Sequence, residues 1–199
     1  MSKVVFNSFE DFGKHLNPKA AFEKEMRNFF SKQGIESMWH FTDRSNLESI
    51  EKYGLQSLFN ITKKEIPVKK FGADTLSHGL DHRKKLDRFV HLAFMDDHPM
   101  YHVALDRKNI VDPVWIEIDL SIIFNENTFF SSMVANASNA PIFKLEDIQK
   151  YINFDKMFDD DFETMKNARK AEILIHDSIS PDKIIKVHDG RKTYFPFSW

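Results

Sequence analysis

Five short apolar stretches of strand character are scattered among helical patterns without regular strand–helix–strand alternation, and this arrangement constrains the fold most. SMWHFT (37–42), RFVHLAFM (88–95), PVWIEIDL (113–120), EILIH (172–176) and DKIIKVH (182–188) are rich in β-branched and aromatic residues. The third alternates clearly between apolar and polar positions. Between the stretches, NPKAAFEKEMRNFFSKQG (17–34) places Phe22, Met26, Phe29 and Phe30 at helical spacing before Gly34, which predicts an amphipathic helix over about 18–33 that packs on the core. Pro99 suits the first turn of a further helix, and LEDIQKYI and part of FETMKNARK also carry helical spacing. Strands mixed with helices in this irregular order predict an α+β domain rather than a doubly wound parallel sheet. Residues 125–142 read as a loop. The polar stretch from Gln56 to Lys85 has weak periodicity and is longer than an ordinary connection, which marks it as functional or a lid. There is no internal repeat and no low-complexity linker, so the expectation is one domain over residues 1–199.

A chain of 199 residues is long enough to bury a core without staples. It contains no cysteine, which excludes Cys-based zinc sites, thiol catalysis and disulfides and agrees with a reducing compartment. The N-terminal residues lack the apolar core of a signal peptide, and no run approaches the roughly 20 apolar residues needed to span a bilayer. The expected location is therefore the cytoplasm, away from membranes. The formal net charge of −2 is unevenly placed, with basic KKEIPVKK (63–70) and HRKKLDR (82–88) against acidic FDDDFE (158–163). Such clusters are ordinarily solvated faces. Twenty phenylalanines fill a core, and some of them could stack on unpaired bases.

The stretch HFTDRSNLESIEKYGL (40–55) carries the densest local signals. Ser45 followed by Glu48 fits a capping box, so a helix is expected from near Asn46, with Leu47 and Ile50 on one face. Gly54 suits the left-handed conformation that closes such a helix. The helix start would lie beside His40 and Thr42, and its free N–H groups suit an anion, although an ordinary capped helix explains the same residues. His98 and His102 have the spacing of one helical face, while His40, His91 and His176 fall on expected strands. Without an HExxH motif, and with only Asp96 and Asp97 nearby, a catalytic metal is not expected. Neither a Walker A loop nor a GxGxxG turn is present. Glu172 heads the strand EILIH, where a carboxylate is either a solvated rim residue or a catalytic one. Arg83 is either a surface charge or a fixed donor to phosphate or carboxylate.

Four of these stretches, taken in order, resemble one family. WHFTDRSNLESIEKYGL, LDRFVHLAFMDDHPMYHVAL, VWIEIDLSII and KAEILIH are similar to successive elements of the DarT-type nucleic-acid ADP-ribosyltransferase toxins, and together they span most of residues 38–176. The resemblance implies an ADP-ribosyltransferase fold: a split, mostly antiparallel sheet around a cleft for NAD+, flanked by helices. It implies that Glu172 is the catalytic glutamate and Arg83 the active-site arginine, with Arg88 as the rival position. His40 and Thr42 would line the NAD+ pocket, with Asn46, Leu47, Gly54, Arg88 and Phe94 also beside the cofactor. The segment from Tyr151 to Arg169 would contact the acceptor through Phe154, Phe158, Phe162 and Arg169, core packing being the competing role for the aromatic rings.

The implied reaction is NAD+-dependent mono-ADP-ribosylation of a nucleobase in single-stranded DNA or RNA, with NAD+ as co-substrate and no metal. The implied setting is a toxin–antitoxin or phage-defence system, in which a macrodomain hydrolase or a direct inhibitor neutralises the enzyme. Two departures bear on the acceptor: FVHLAFMDDHPM replaces a tyrosine-containing strand, and the loop before Glu172 is acidic where a polyanion must approach. A protein-modifying transferase, a non-catalytic nucleic-acid or nucleotide-binding module on the same fold, and a metal-dependent nuclease are the competing readings.

Overall fold

The computed structural model describes residues 18–72 and 84–190. Its contacts divide the chain into a unit ending at Glu36 and a unit beginning at Ser37. In the first, the expected amphipathic helix forms as α1 (Pro18–Lys32). Gly34, at a φ of +70°, ends it, and the Ile35 N–H turns back to the Phe30 carbonyl at 2.9 Å, as in a Schellman cap. Phe29 and Phe30 meet edge to face.

The second unit is built on a seven-stranded sheet. Its strands are β1 (Ser37–Asp43), β3 (Phe89–Ala93), β4 (Pro113–Asp119), β5 (Thr128–Ser131), β6 (Ile142–Phe143), β7 (Glu172–His176) and β9 (Ile184–Asp189). They lie in the order β6-β5-β7-β3-β1-β4-β9, and every neighbouring pair is antiparallel. A separate two-stranded ribbon joins β2 (Leu55–Gln56) to β8 (Ser178–Ile179). The described helices of this unit are α2 (Leu47–Tyr53), α3 (Leu58–Lys63), α4 (Pro99–Asp106), α5 (Ile148–Tyr151) and α6 (Phe162–Ala168). This is the α+β class expected from the irregular order of strands and helices.

Strand composition explains which strands lie inside. Val114, Trp115, Ile116 and Ile118 of β4 and Ile173, Leu174 and Ile175 of β7 are all buried, so both strands are covered on both faces along much of their length. The pairing between β1 and β3 is different in kind. β1 pairs with β4 along its whole length, from Ser37↔Asp119 to Asp43↔Pro113, yet it pairs with β3 only at Trp39↔Ala93. The sheet is split at that junction.

Three local expectations are corrected. The stretch 125–142 is not all loop, because Thr128–Ser131 forms β5 and pairs with the central strand β7. Four residues flanked by Asn and Ser carry too little periodicity to stand out from sequence alone. The polar segment after Gln56 contains α3, capped by the Ser57 hydroxyl on the Asn60 N–H; residues 73–83 of that segment lie outside the described residues. The Ser45–Glu48 capping box does not form. Asp43 caps a 3₁₀ turn over Arg44–Asn46 instead, accepting from both the N–H and the hydroxyl of Ser45, so the Ser45 side chain is already engaged when α2 begins.

Candidate active site

A cleft of about 270 Å³ opens where β1 and β3 part. Its walls are β1 from Trp39 to Thr42, the turn from α2 into β2, the inner face of α3, the segment 66–72 and all of β3, and Glu172 closes it. The turn exists because of Gly54. Its φ is +72° with ψ at −172°, which is not the left-handed helical conformation expected there, and a Cβ at this position would sit 2.0 Å from the Ile179 carbonyl oxygen. Only glycine lets the end of α2 approach β8 so closely.

Asn46 is buried and acts as a clamp. Its amide donates to the Thr42 hydroxyl at 3.0 Å and to the Lys70 carbonyl at 2.6 Å, and its oxygen accepts the N–H groups of Lys69 and Lys70 at 2.9 and 3.2 Å. Its hydrogen-bonding capacity goes into fixing the cleft rim. The Thr42 hydroxyl, whose oxygen accepts from Asn46, retains its own proton for donation. His40 donates from Nδ1 to the His91 carbonyl at 3.0 Å. Burial lowers its pKa, with the neighbouring His91 adding to the shift against that hydrogen bond, so His40 is neutral and its Nε2 is an acceptor.

Glu172, the first residue of β7, is 6% exposed. Its Oε2 accepts from His91 Nδ1 at 3.0 Å and from the Ala135 N–H at 3.0 Å. Burial alone would push this carboxyl up. The hydrogen bond from His91, the fields of His91 and His98 and the Ala135 N–H outweigh it, so the pKa falls and the group is ionised at neutral pH. His98 caps α4, accepting the Met100 N–H on Nδ1, and burial lowers its pKa despite the nearby Glu172 and Lys170 carbonyl.

His40, Thr42, Asn46, Gly54 and Glu172 are thus brought together in one cleft. Other expected site residues are placed elsewhere. Leu47 lies on α2 away from the cleft lining. Arg88 is also outside the lining: its guanidinium lies over the Phe59 ring at 4.2 Å, a cation–π contact that holds it on the outer side of the turn before β3. Phe94 and Phe154, each 3% exposed, pack edge to face with one another, and Phe94 also stacks on Phe130, so both rings serve the core. Arg169 donates from Nε to the Met157 carbonyl at 2.8 Å and pairs with Asp97 through Nη1, which spends it on tying its own segment to the connection between β3 and α4. Phe158 is 51% exposed, and Phe162 is half-buried beneath the Lys166 ammonium. Arg83 lies outside the described residues.

The described residues hold no group of three or more His, Asp or Glu side chains arranged for a metal ion. His98 and His102 do not share a helical face as expected, since His98 precedes the helix as its cap and His102 is bonded to Asp97 at 2.8 Å. The residue that sequence reasoning missed in its actual role is His91, considered there only as a metal ligand. Strand register, which the sequence alone does not give, sets Ala93 opposite Glu172 and His91 opposite Leu174, so that His91 and Glu172 share a face as diagonal neighbours.

A split antiparallel sheet flanked by helices, with a buried, ionised glutamate heading a strand that lines the cleft, is the architecture of the ADP-ribosyltransferase fold. The family model described as ssDNA thymidine ADP-ribosyltransferase, DarT, matches residues 39–189, and the chain belongs to that family. Among solved structures, Thermosipho africanus DarTG in complex with ADP-ribose matches with a TM-score of 0.61 at 18% identity, over 77% of this chain and 44% of that one. This chain therefore spans less than half the length of that relative. Thermus sp. 2.9 DarT in complex with ADP-ribosylated ssDNA matches with a TM-score of 0.61 at 13% identity, over 77% of this chain and 81% of that one. The same Thermus protein in complex with NAD+ matches with a TM-score of 0.58 at 12% identity, over 79% and 83% of the two chains. No curated protein matches the chain. Among the described residues, no helix is long and apolar enough to cross a membrane.

Proposed function

We propose that this chain transfers the ADP-ribosyl group of NAD+ to a thymidine base of single-stranded DNA, releasing nicotinamide, and that it does so in the cytoplasm as the toxin of a toxin–antitoxin pair. The observation that carries the reading is Glu172, buried, ionised and held by two donors at the mouth of the sheet's split. Family membership supports the acceptor, and the DarTG name of a structural neighbour supports a paired antitoxin, a macrodomain hydrolase or a direct inhibitor.

In the proposed reaction the bond between the nicotinamide nitrogen and the ribose C1′ breaks, its electron pair leaves with nicotinamide, and positive charge develops on the ribose. A carboxylate fixed beside that ring stabilises the charge, and a hydrogen bond from a ribose hydroxyl to Glu172 orients the electrophile. Once thymine is joined to its own sugar, its ring retains a single N–H. Attack from that nitrogen on C1′ releases the proton, for which Glu172 is the proposed acceptor. His40 Nε2 and the Thr42 hydroxyl offer one acceptor and one donor for holding the cofactor.

The test incubates the purified protein with labelled NAD+ and single-stranded DNA oligonucleotides that differ only in containing thymidine, beside an RNA oligonucleotide and a protein mixture. Label is expected on thymidine-containing DNA, with transfer by Glu172→Gln reduced about 10²–10³-fold. Label on RNA or protein instead, or none anywhere while the protein is folded, overturns the reading.

A further inference from the structure

We infer that His91 is a positioning residue for Glu172, fixing one carboxylate oxygen so that the other is presented to the cofactor's ribose; this rests on the transferase reading above. Both protein donors converge on the same atom. His91 Nδ1 and the Ala135 N–H each lie 3.0 Å from Oε2, while Oε1 takes no hydrogen bond from the described residues. A carboxylate with one oxygen doubly held cannot rotate about its last torsion without breaking both bonds, so the remaining oxygen points in one direction into the cleft that Glu172 lines.

His91 is suited to this by what fixes its own backbone. Strand pairing with β7 sets Ala93 opposite Glu172, which places His91 on the same face and one diagonal step away. On the other edge of β3, where the ladder to β1 is interrupted, the His91 carbonyl is taken by His40 Nδ1 at 3.0 Å. One residue therefore joins the two halves of the site: its carbonyl holds the histidine expected to face the cofactor, and its imidazole holds the glutamate. The carboxylate requires the Nδ1–H of His91, which assigns the proton to that nitrogen.

Steady-state transfer by the full chain is measured for wild type, His91→Leu and His91→Asn, together with histidine-ring 15N NMR of the wild type. Asn presents an amide N–H close to the position of Nδ1, whereas Leu has nearly the same shape with neither donor nor charge. His91→Leu is expected to lose kcat about 10- to 100-fold with KM for NAD+ changed less than about threefold, and His91→Asn to recover most of the loss. The NMR spectrum is expected to show the His91 proton on Nδ1. Unchanged kcat in His91→Leu, equal losses in the Leu and Asn variants, or a neutral ring protonated on Nε2 overturns the positioning role. Because the ring spectrum needs no turnover, it still decides if a variant fails to fold. A wild type that transfers nothing defeats the transferase reading instead, an outcome these variants cannot produce.

Discussion

Asp43 collects four hydrogen bonds at the point where β1 gives way to the turn before α2. Oδ1 accepts from the N–H and hydroxyl of Ser45 at 3.0 and 2.6 Å, and Oδ2 from the N–H groups of Val111 and Asp112 at 2.8 and 3.1 Å. Burial raises its pKa, but the bonds from Ser45, Val111 and Asp112 outweigh this and hold it far below the usual carboxylate range. A group depressed in the folded state stabilises the fold above its unfolded pKa, and that contribution is lost as pH falls through the folded value. Asp43→Asn is therefore expected to cost about 1.5–3 kcal/mol at pH 7. In urea melts the gap between variant and wild type should narrow progressively below the unfolded value of about 3.9. Asp43 and His91 were opaque to sequence reading because Val111 and Asp112, whose N–H groups Asp43 accepts, and Glu172, which His91 holds, lie 68 or more positions away in the chain. The placement of Glu172, His40 and Thr42 on one cleft was legible because each sits within a contiguous motif whose neighbours resemble the family's own.

At the scale of elements, the junction between α2 and β2 is held by a contact that admits no side chain. Gly54 combines a positive φ with a Cβ position 2.0 Å from the Ile179 carbonyl oxygen, so Gly54→Ala must displace the β2–β8 ribbon or the end of α2. The expected cost exceeds about 1 kcal/mol, equivalent to a fall in Tm of at least about 2–4 °C. Thermal melts check the cost, and calorimetry with NAD+ should show weaker binding, since the displaced turn forms part of the cleft wall. The glycine itself was visible as a helix stop, while its approach to β8 was not, because the ribbon joins segments more than a hundred residues apart. The same limit hid β5, whose four residues take their strand character from pairing with β7 rather than from their own pattern. Phe154 and Arg169 show the converse failure. Their residue types suit nucleic acid as well as a core or an ion pair, and only packing against Phe94 and pairing with Asp97 decide between those uses.

For the molecule as a whole, the α+β class could be read from strand-like stretches in irregular order, but the order of strands in the sheet could not. β7 inserts between β5 and β3, and β9 closes the sheet beside β4, so most ladders join distant parts of the chain. Because loop closure must precede such contacts, refolding from urea is expected on the millisecond-to-second scale of non-local β topologies. With no cysteine in the chain, adding a reductant should leave the stopped-flow rate unchanged. The divided use of residue 91 also bears on how such an enzyme can diversify. His40 is anchored to a peptide carbonyl, which every amino acid supplies, whereas Glu172 is steered by an imidazole, which mutation can replace. On the proposed roles, a lineage that exchanges the side chain at this one position retunes the vigour of the reaction while cofactor recognition passes unchanged from parent to descendant.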